Sequence, residues 1–206
     1  DLALIYRRGL IELGNIGCKY VQIDDCAFTM LLDDDMRGRL KERGDDPEDL
    51  LDMYIRALNL ALQDRPEELV VATHLCRGNN RGHWLASGGY DAVAEKLFSQ
   101  LEVDAYFLEY ESSRSGTFEP LRFMPDDKTV VLGIVSSKLP KLEDSNDVKR
   151  RIEEASKYIR VENLCLSPQC GFASMFLGNP VTEEDQRKKL SLIVEIADDL
   201  WGSVSQ

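Results

Sequence analysis

The stretch "LVVATHLC", Leu69–Cys76, decides how this chain folds. It is apolar almost throughout, has the length of a strand, and carries a histidine and a cysteine only at its end. A strand that is apolar on both faces is covered on both faces, which is the habit of parallel sheets in α/β proteins. Four other segments share this character: "YVQID" (Tyr20–Asp24), "AYFLEYE" (Ala105–Glu111), "TVVLGIVSS" (Thr129–Ser137) and "NLCLSP" (Asn163–Pro168).

Between these runs, apolar residues recur at three-to-four spacing, which predicts helices over Pro47–Asp64, Gly88–Leu101, Asn146–Ile159 and Thr182–Gly202. Pro47 suits a first helical turn, and Thr182 followed by Glu183, Glu184 and Asp185 suits an N-cap with acids behind it. Leu2–Leu13 reads as a shorter opening helix. Strands alternating with helices give an α/β protein with a parallel sheet. No linker or low-complexity stretch interrupts residues 1–206, so the chain reads as a single domain.

The polar residues of the strands gather at the C-terminal ends: Asp24 and Asp25, His74 and Cys76, Glu109 and Glu111, Ser136 and Ser137, with Cys170 just beyond the last strand. Ligands bind at that edge of parallel α/β sheets. No glycine-rich phosphate loop follows any strand, since "ASGGYD" and "CRGN" lack the spacing, which argues against a nucleotide-binding sheet. A closed barrel needs eight strands and about 250 residues. Five strands therefore mean either an open doubly wound sheet or part of a barrel.

Composition narrows the function. Over 206 residues, 43% are hydrophobic and 30% charged, as in ordinary globular domains. A net charge of −12 repels nucleic acid. There is no apolar run of about 18 residues to span a membrane, and no charged-then-apolar leader. The five cysteines are odd in number and irregular in spacing, so free thiols in a reducing, cytoplasmic setting are expected.

His74 and Cys76 face the same way on one strand. Three readings compete: a buried pair without chemistry, a nucleophilic Cys/His couple, or half of a metal site. The nucleophilic couple needs a third group to orient the base, and spacing supplies none. The metal reading gains from Cys170 and Glu111, which end other strands. One histidine, two cysteines and a carboxylate are ligands that zinc accepts, and a set drawn from separate strands suits a catalytic site better than a structural zinc module.

Five motifs in this order, "YVQIDD", "THLCRGN", "DAYFLEYESSRSG", "TVVLGIVSSK" and "LCLSPQCGF", resemble the C-terminal catalytic domain of cobalamin-independent methionine synthase. They resemble more closely its single-domain relatives, the 5-methyltetrahydropteroyltriglutamate–homocysteine methyltransferase-like proteins. The resemblance implies a (β/α)8 barrel of TIM type, represented here by its last five β/α units, with the chain beginning inside a helix and the first three units absent. It implies a Zn2+ cofactor held by His74, Cys76, Glu111 and Cys170, with Glu109 as the rival carboxylate. Asp24 would hold the amino group of homocysteine, Asp24 and Glu109 would be the catalytic carboxylates, and Ser113, Arg114 and Ser137 would bind substrate. The implied reaction is methyl transfer from 5-methyltetrahydrofolate polyglutamate to a zinc-activated homocysteine thiol, giving methionine.

The partners implied are a small-molecule thiol and a methyl or alkyl donor. The exposed sheet edges invite a homo-oligomer or a missing N-terminal segment. This sequence departs from the family at "DDCA", where "DEPA" is usual, and after Cys76 in "RGNNRGHW". These departures keep open alkyl transfer to another thiol, as between an epoxide and coenzyme M. A catalytically silent barrel fragment acting as an assembly unit is the alternative of another class. The related porphyrin-decarboxylase branch of the same barrels would leave the His/Cys/Cys set unexplained. Arg77 and Lys138 near strand ends suit a substrate carboxylate or sulfonate, or are plain surface charges. Cys18, Cys26 and Cys165 read as buried or incidental thiols.

Overall fold

A computed structural model describes residues 1–173 and 175–202. The elements are α1 (Leu2–Asn15), β1 (Tyr20–Asp25), α2 (Ala27–Met30), α3 (Asp34–Glu42), α4 (Pro47–Leu62), β2 (Val70–Leu75), α5 (Ala94–Gln100), β3 (Ala105–Glu109), β4 (Thr129–Val135), α6 (Ser145–Ala155), β5 (Leu164–Pro168) and α7 (Glu183–Trp201). Short 3-10 turns fill the loops, among them Tyr90–Ala92 before α5 and Ser113–Ser115 after β3.

Among the described residues the sheet has five strands in chain order, β1-β2-β3-β4-β5, and every pairing is parallel. A doubly wound sheet reverses its strand order at a switch point. This sheet never reverses. It runs as the wall of a barrel does, which settles the choice left open by strand count and makes the fold α/β of TIM-barrel type, five units long.

The central strands β2, β3 and β4 are buried on both faces, as the near-continuous apolar runs require. The outer strands β1 and β5 are half exposed. The core lies between sheet and helices, where Leu51 and Ile55 of α4, Leu97 and Phe98 of α5, and Ile196 of α7 pack on Val71, Tyr106 and Leu132. Each such side chain contributes about 1.5–3 kcal/mol by leaving water.

The helix signals hold locally. Asp46 caps α4 by accepting from Glu48 N at 2.8 Å, with Pro47 in the first turn. Thr182 and Asp185 form a reciprocal capping box at α7, and Gly202 ends that helix. The helix expected over Gly88–Leu101 begins later, at Ala94: Gly88 sits at φ +117, and Tyr90–Ala92 form a 3-10 turn ahead of the helix. Helix α3 has no sequence counterpart in the apolar pattern, since it buries none of its residues. Its stability comes from its ends: Asp33 accepts from Met36 N at 3.1 Å, Asp34 and Asp35 open it, and Arg39 and Lys41 close it.

Two differences bear on the site. Strand β3 ends at Glu109, not at Glu111. The five cysteines are all free, as expected, but Cys26 and Cys165 are exposed and Cys18 half-buried rather than buried. Gly133 on β4 is the register partner of Glu109. A Cβ there would lie 2.7 Å from Gln169 Cα and 2.9 Å from Leu108 O. The missing side chain lets the end of β5 cross close over β4, which carries Gln169 and Cys170 toward the barrel axis.

Candidate metal centre

Register places the site. Asp24 of β1 is the partner of His74 of β2, and the strand ends β1, β2 and β3 lie side by side. His74 is 6% exposed, and its Nε2 stands 3.8 Å from Asp24 Oδ1 and 3.8 Å from Glu109 Oε1. That nitrogen is buried with no hydrogen-bond partner. Buried polar atoms are nearly always satisfied, so an orphan at a cluster of anions marks a place for a cation or ligand.

The ligand atoms of His74, Cys76, Glu109 and Cys170 all lie within 4.8 Å of one another. The two sulfurs are 3.7 Å apart. Two thiolates bound at about 2.3 Å to one tetrahedral centre would stand about 3.8 Å apart, so this pair is spaced for a shared zinc-sized ion. The donor set of one imidazole, two sulfurs and one carboxylate is of the kind zinc takes.

Of the two rival carboxylates, the structure brings Glu109 to the cluster and leaves Glu111 out. The reason is the strand end. Glu109 is the last residue of β3 and points toward His74, whereas Tyr110 turns into the core and Glu111 lies in the following loop. Glu111 Oε1 accepts from Arg114 Nε at 2.8 Å and from Nη2 at 2.5 Å. The sequence expectation placed Glu111 with His74, Cys76 and Cys170; the donors that lie together in the structure are those of His74, Cys76, Glu109 and Cys170.

Glu109 is fully buried and held at both oxygens. Oε1 accepts from Arg77 N at 3.0 Å. Oε2 accepts from Arg114 Nη2 at 2.9 Å and from Gln169 Nε2 at 3.0 Å. Lys138, 3% exposed, has its Nζ 4.0 Å from the same oxygen and without a hydrogen-bond partner. Gln169, beside Cys170, also takes the Ser136 hydroxyl at 3.1 Å. Sequence reasoning passed over Gln169, although a glutamine next to a candidate ligand at a strand end was a visible signal.

Arg114 is not free for substrate: besides the two carboxylates it donates to Ala86 O at 3.2 Å and stacks 4.9 Å over Trp84. Ser113 lies exposed on the 3-10 turn. Ser137 is fully buried with an unpartnered hydroxyl next to Lys138. Arg77 is buried, 4.7 Å over the Tyr90 ring, and its Nη1 donates to Gly88 O at 2.5 Å. It braces the loop after β2.

The charges at the cluster are coupled. The hydrogen bond from Cys76 pulls the Cys170 thiol down to about 3, against burial, with help from His74 and the Lys138 charge. The same bond, together with burial, pushes Cys76 far up. Burial pulls His74 down, but the nearby Cys170 sulfur, with the charges of Glu109 and Asp24, outweighs it and raises the imidazole. Asp24 is raised by burial, against the pull of His74.

A family profile described as the catalytic domain of cobalamin-independent synthase matches residues 1–199. The uncharacterized protein YxjG of Bacillus subtilis is 47% identical over 202 residues, covering 98% of this chain and 53% of YxjG. A 5-methyltetrahydropteroyltriglutamate–homocysteine methyltransferase of Nitrosomonas europaea is 25% identical over 171 residues, 83% of this chain and 20% of that enzyme. Among solved structures, a Listeria monocytogenes protein assigned as a vitamin-B12 independent methionine synthase superposes with a TM-score of 0.74 at 34% identity, over 98% of this chain and 55% of that one. A B12-independent methionine synthase from Shewanella, solved with selenomethionine, shares the fold with a TM-score of 0.70 at 21% identity, over 96% of this chain and 53% of its own. The chain thus spans about half the length of YxjG and of these two structures.

Proposed function

Because the chain belongs to the cobalamin-independent synthase catalytic-domain family, we propose that its strand-end cluster binds zinc and transfers a methyl group to a thiol. The ligands are His74, Cys76, Glu109 and Cys170. The acceptor is homocysteine, the donor 5-methyltetrahydrofolate polyglutamate, and the product methionine. The observation that carries this reading is the buried four-donor group with an orphaned imidazole nitrogen.

Zinc held there would keep a coordinated thiol deprotonated near neutral pH, where a free thiol, titrating near 8.5, is mostly protonated. The chain's own residues do the rest. Arg114 and Gln169 fix the orientation of Glu109, as outer partners of metal ligands do. Lys138 offsets part of the negative charge of two sulfurs and a carboxylate. Asp24, whose side chain is 65% exposed at the rim, offers a carboxylate to the ammonium group of the acceptor.

The test is metal analysis of the purified protein together with an assay for methionine formed from homocysteine and methyltetrahydrofolate. About one zinc per chain, lost in Cys76→Ser and Cys170→Ser, and homocysteine-dependent product are expected. A protein that holds no zinc and takes none up on addition overturns the proposal.

A further inference from the structure

Cys26 lies between β1 and α2, and the four-ligand reading leaves it without a role. It directly follows β1, and Asp25 is the register partner of Leu75, so Cys26 and Cys76 are the next positions along two adjacent strands. Such strands lie about 4.8 Å apart. The Cys76 amide continues the ladder by donating to Asp25 O at 3.2 Å. The buried Thr29 hydroxyl lies 2.9 Å from the Cys26 carbonyl oxygen and 2.7 Å from that of Cys76, and so ties the two backbones together.

The side-chain direction agrees. Asp24 reaches toward His74, and Cys26, which follows β1 as the N-cap residue of α2, sets its thiol against the Cys76 side chain. Cys26 lies outside the group of four close donors and is exposed, so its sulfur can swing toward the cluster or away. The orphaned His74 nitrogen shows independently that the cluster is built toward a ligand.

We propose that Cys26 is a further ligand of this centre, whose sulfur fills the position that the substrate thiol later takes. This rests on the zinc-site reading above. Catalytic zinc sites can expand from four ligands to five, so a position beyond the four donors is open to exchange, and a thiolate of the chain itself is a close chemical stand-in for a substrate thiol. On coordination the Cys26 thiol gives its proton to solvent. On exchange, one metal–sulfur bond breaks and one forms, and the proton of the incoming thiol ends on the Cys26 sulfur. Substrate loading therefore releases no net proton. Buried Cys76 and Cys170 stay in place, and exposed Cys26 is the one that leaves.

The experiment compares zinc-loaded and metal-free protein in a short maleimide pulse, followed by peptide mass spectrometry. Zinc should slow alkylation of Cys26 about tenfold or more, alongside Cys76 and Cys170, while Cys18 and Cys165 serve as unaffected controls. In cobalt-substituted protein, Cys26→Ser should lower the thiolate-to-cobalt absorption to about two thirds, as three thiolates become two, and added homocysteine should restore it. Protection of Cys76 and Cys170 but not Cys26, with an unchanged cobalt band in Cys26→Ser, overturns the inference and leaves the zinc site standing. Protection of no cysteine overturns both.

Discussion

The exchange of Glu111 for Glu109 at the cluster gives the most direct test. Glutamine at position 109 keeps the shape of the side chain but replaces one acceptor oxygen with an NH2 donor. Oε1 faces the Arg77 amide at 3.0 Å, and Oε2 faces Arg114 at 2.9 Å and Gln169 at 3.0 Å. Either orientation of the new amide sets donor against donor. Breaking a fully buried, charge-paired group costs about 3–5 kcal/mol. At about 2–4 °C per kcal/mol for a chain of this size, Tm falls by about 6–20 °C. Glutamine at position 111 leaves Arg114 bound to Glu109, to Ala86 O and over Trp84. That change should cost only about 1–2 kcal/mol. Zinc separates the two further. Loss of an outer partner weakens a metal site about 10–100-fold. Glu111→Gln should fall within that range and Glu109→Gln well beyond it. The assay is a thermal melt with and without zinc, paired with competition against a chromogenic chelator. Free zinc at about 100 times Kd adds about 2.7 kcal/mol to the wild type. That upward shift should fall to about 0.4–1.4 kcal/mol in Glu111→Gln and vanish in Glu109→Gln. The opposite pattern would refute the assignment of the carboxylate.

Other expectations follow from single contacts. Gly133→Ala forces a Cβ onto the backbone of Gln169 and Leu108, and should cost about 1–3 kcal/mol and weaken zinc binding by displacing Cys170, both readable in the same melts. Asp24→Asn should raise KM for an amine-bearing thiol while leaving that for its des-amino analogue unchanged; equal effects on both would remove Asp24 from amine recognition. Asp33 is pushed up by burial, but hydrogen bonds from the Ser87 and Met36 amides and the Ser87 hydroxyl bring it below the usual carboxylate range. A folded pKa below the unfolded value, about 3.9, means stability present above that pH and lost as pH falls through the folded pKa. Asp33→Ala should therefore cost about 1 kcal/mol at pH 7 and nothing at the acid end, measured by urea melts across pH.

What the sequence showed, it showed through period and position. Apolar runs with polar ends located all five strands, and Pro47 and the cap at Thr182 located two helix starts to within a residue. Helix α3 stayed hidden because it buries nothing, so no stripe marked it. His74, Cys76 and Cys170 were legible as site residues because they sit at strand ends. The carboxylate was not, because Glu109 and Glu111 share strand parity, and parity cannot tell where pairing stops. The last β3 bond to β4 beyond Glu109 runs from Tyr110 N to Gly133 O at 2.9 Å, after which the chain breaks into the Ser113–Ser115 turn. Motif spacing, which sets "ESSRS" against the family's serine–arginine segment, pointed to Glu111. Local geometry points instead to Glu109: Arg114 follows the last strand residue by five positions and folds back to hold it.

The same logic explains why Cys26 looked incidental. A lone thiol after "IDD" has no partner in sequence within reach, since Cys76 is fifty residues away. Parallel pairing of β1 with β2 removes that distance by making the two cysteines neighbours on adjacent strands. In a sheet of consecutive parallel strands, every residue just past a strand end meets its counterparts from the neighbouring units, whatever the length of the helices between them. A strand-end cysteine in such a fold is therefore weighed against the other strand ends and not against its own flanks. Here the position next to Cys26 belongs to a proposed metal ligand, and a proline at the same point could offer that ligand no sulfur.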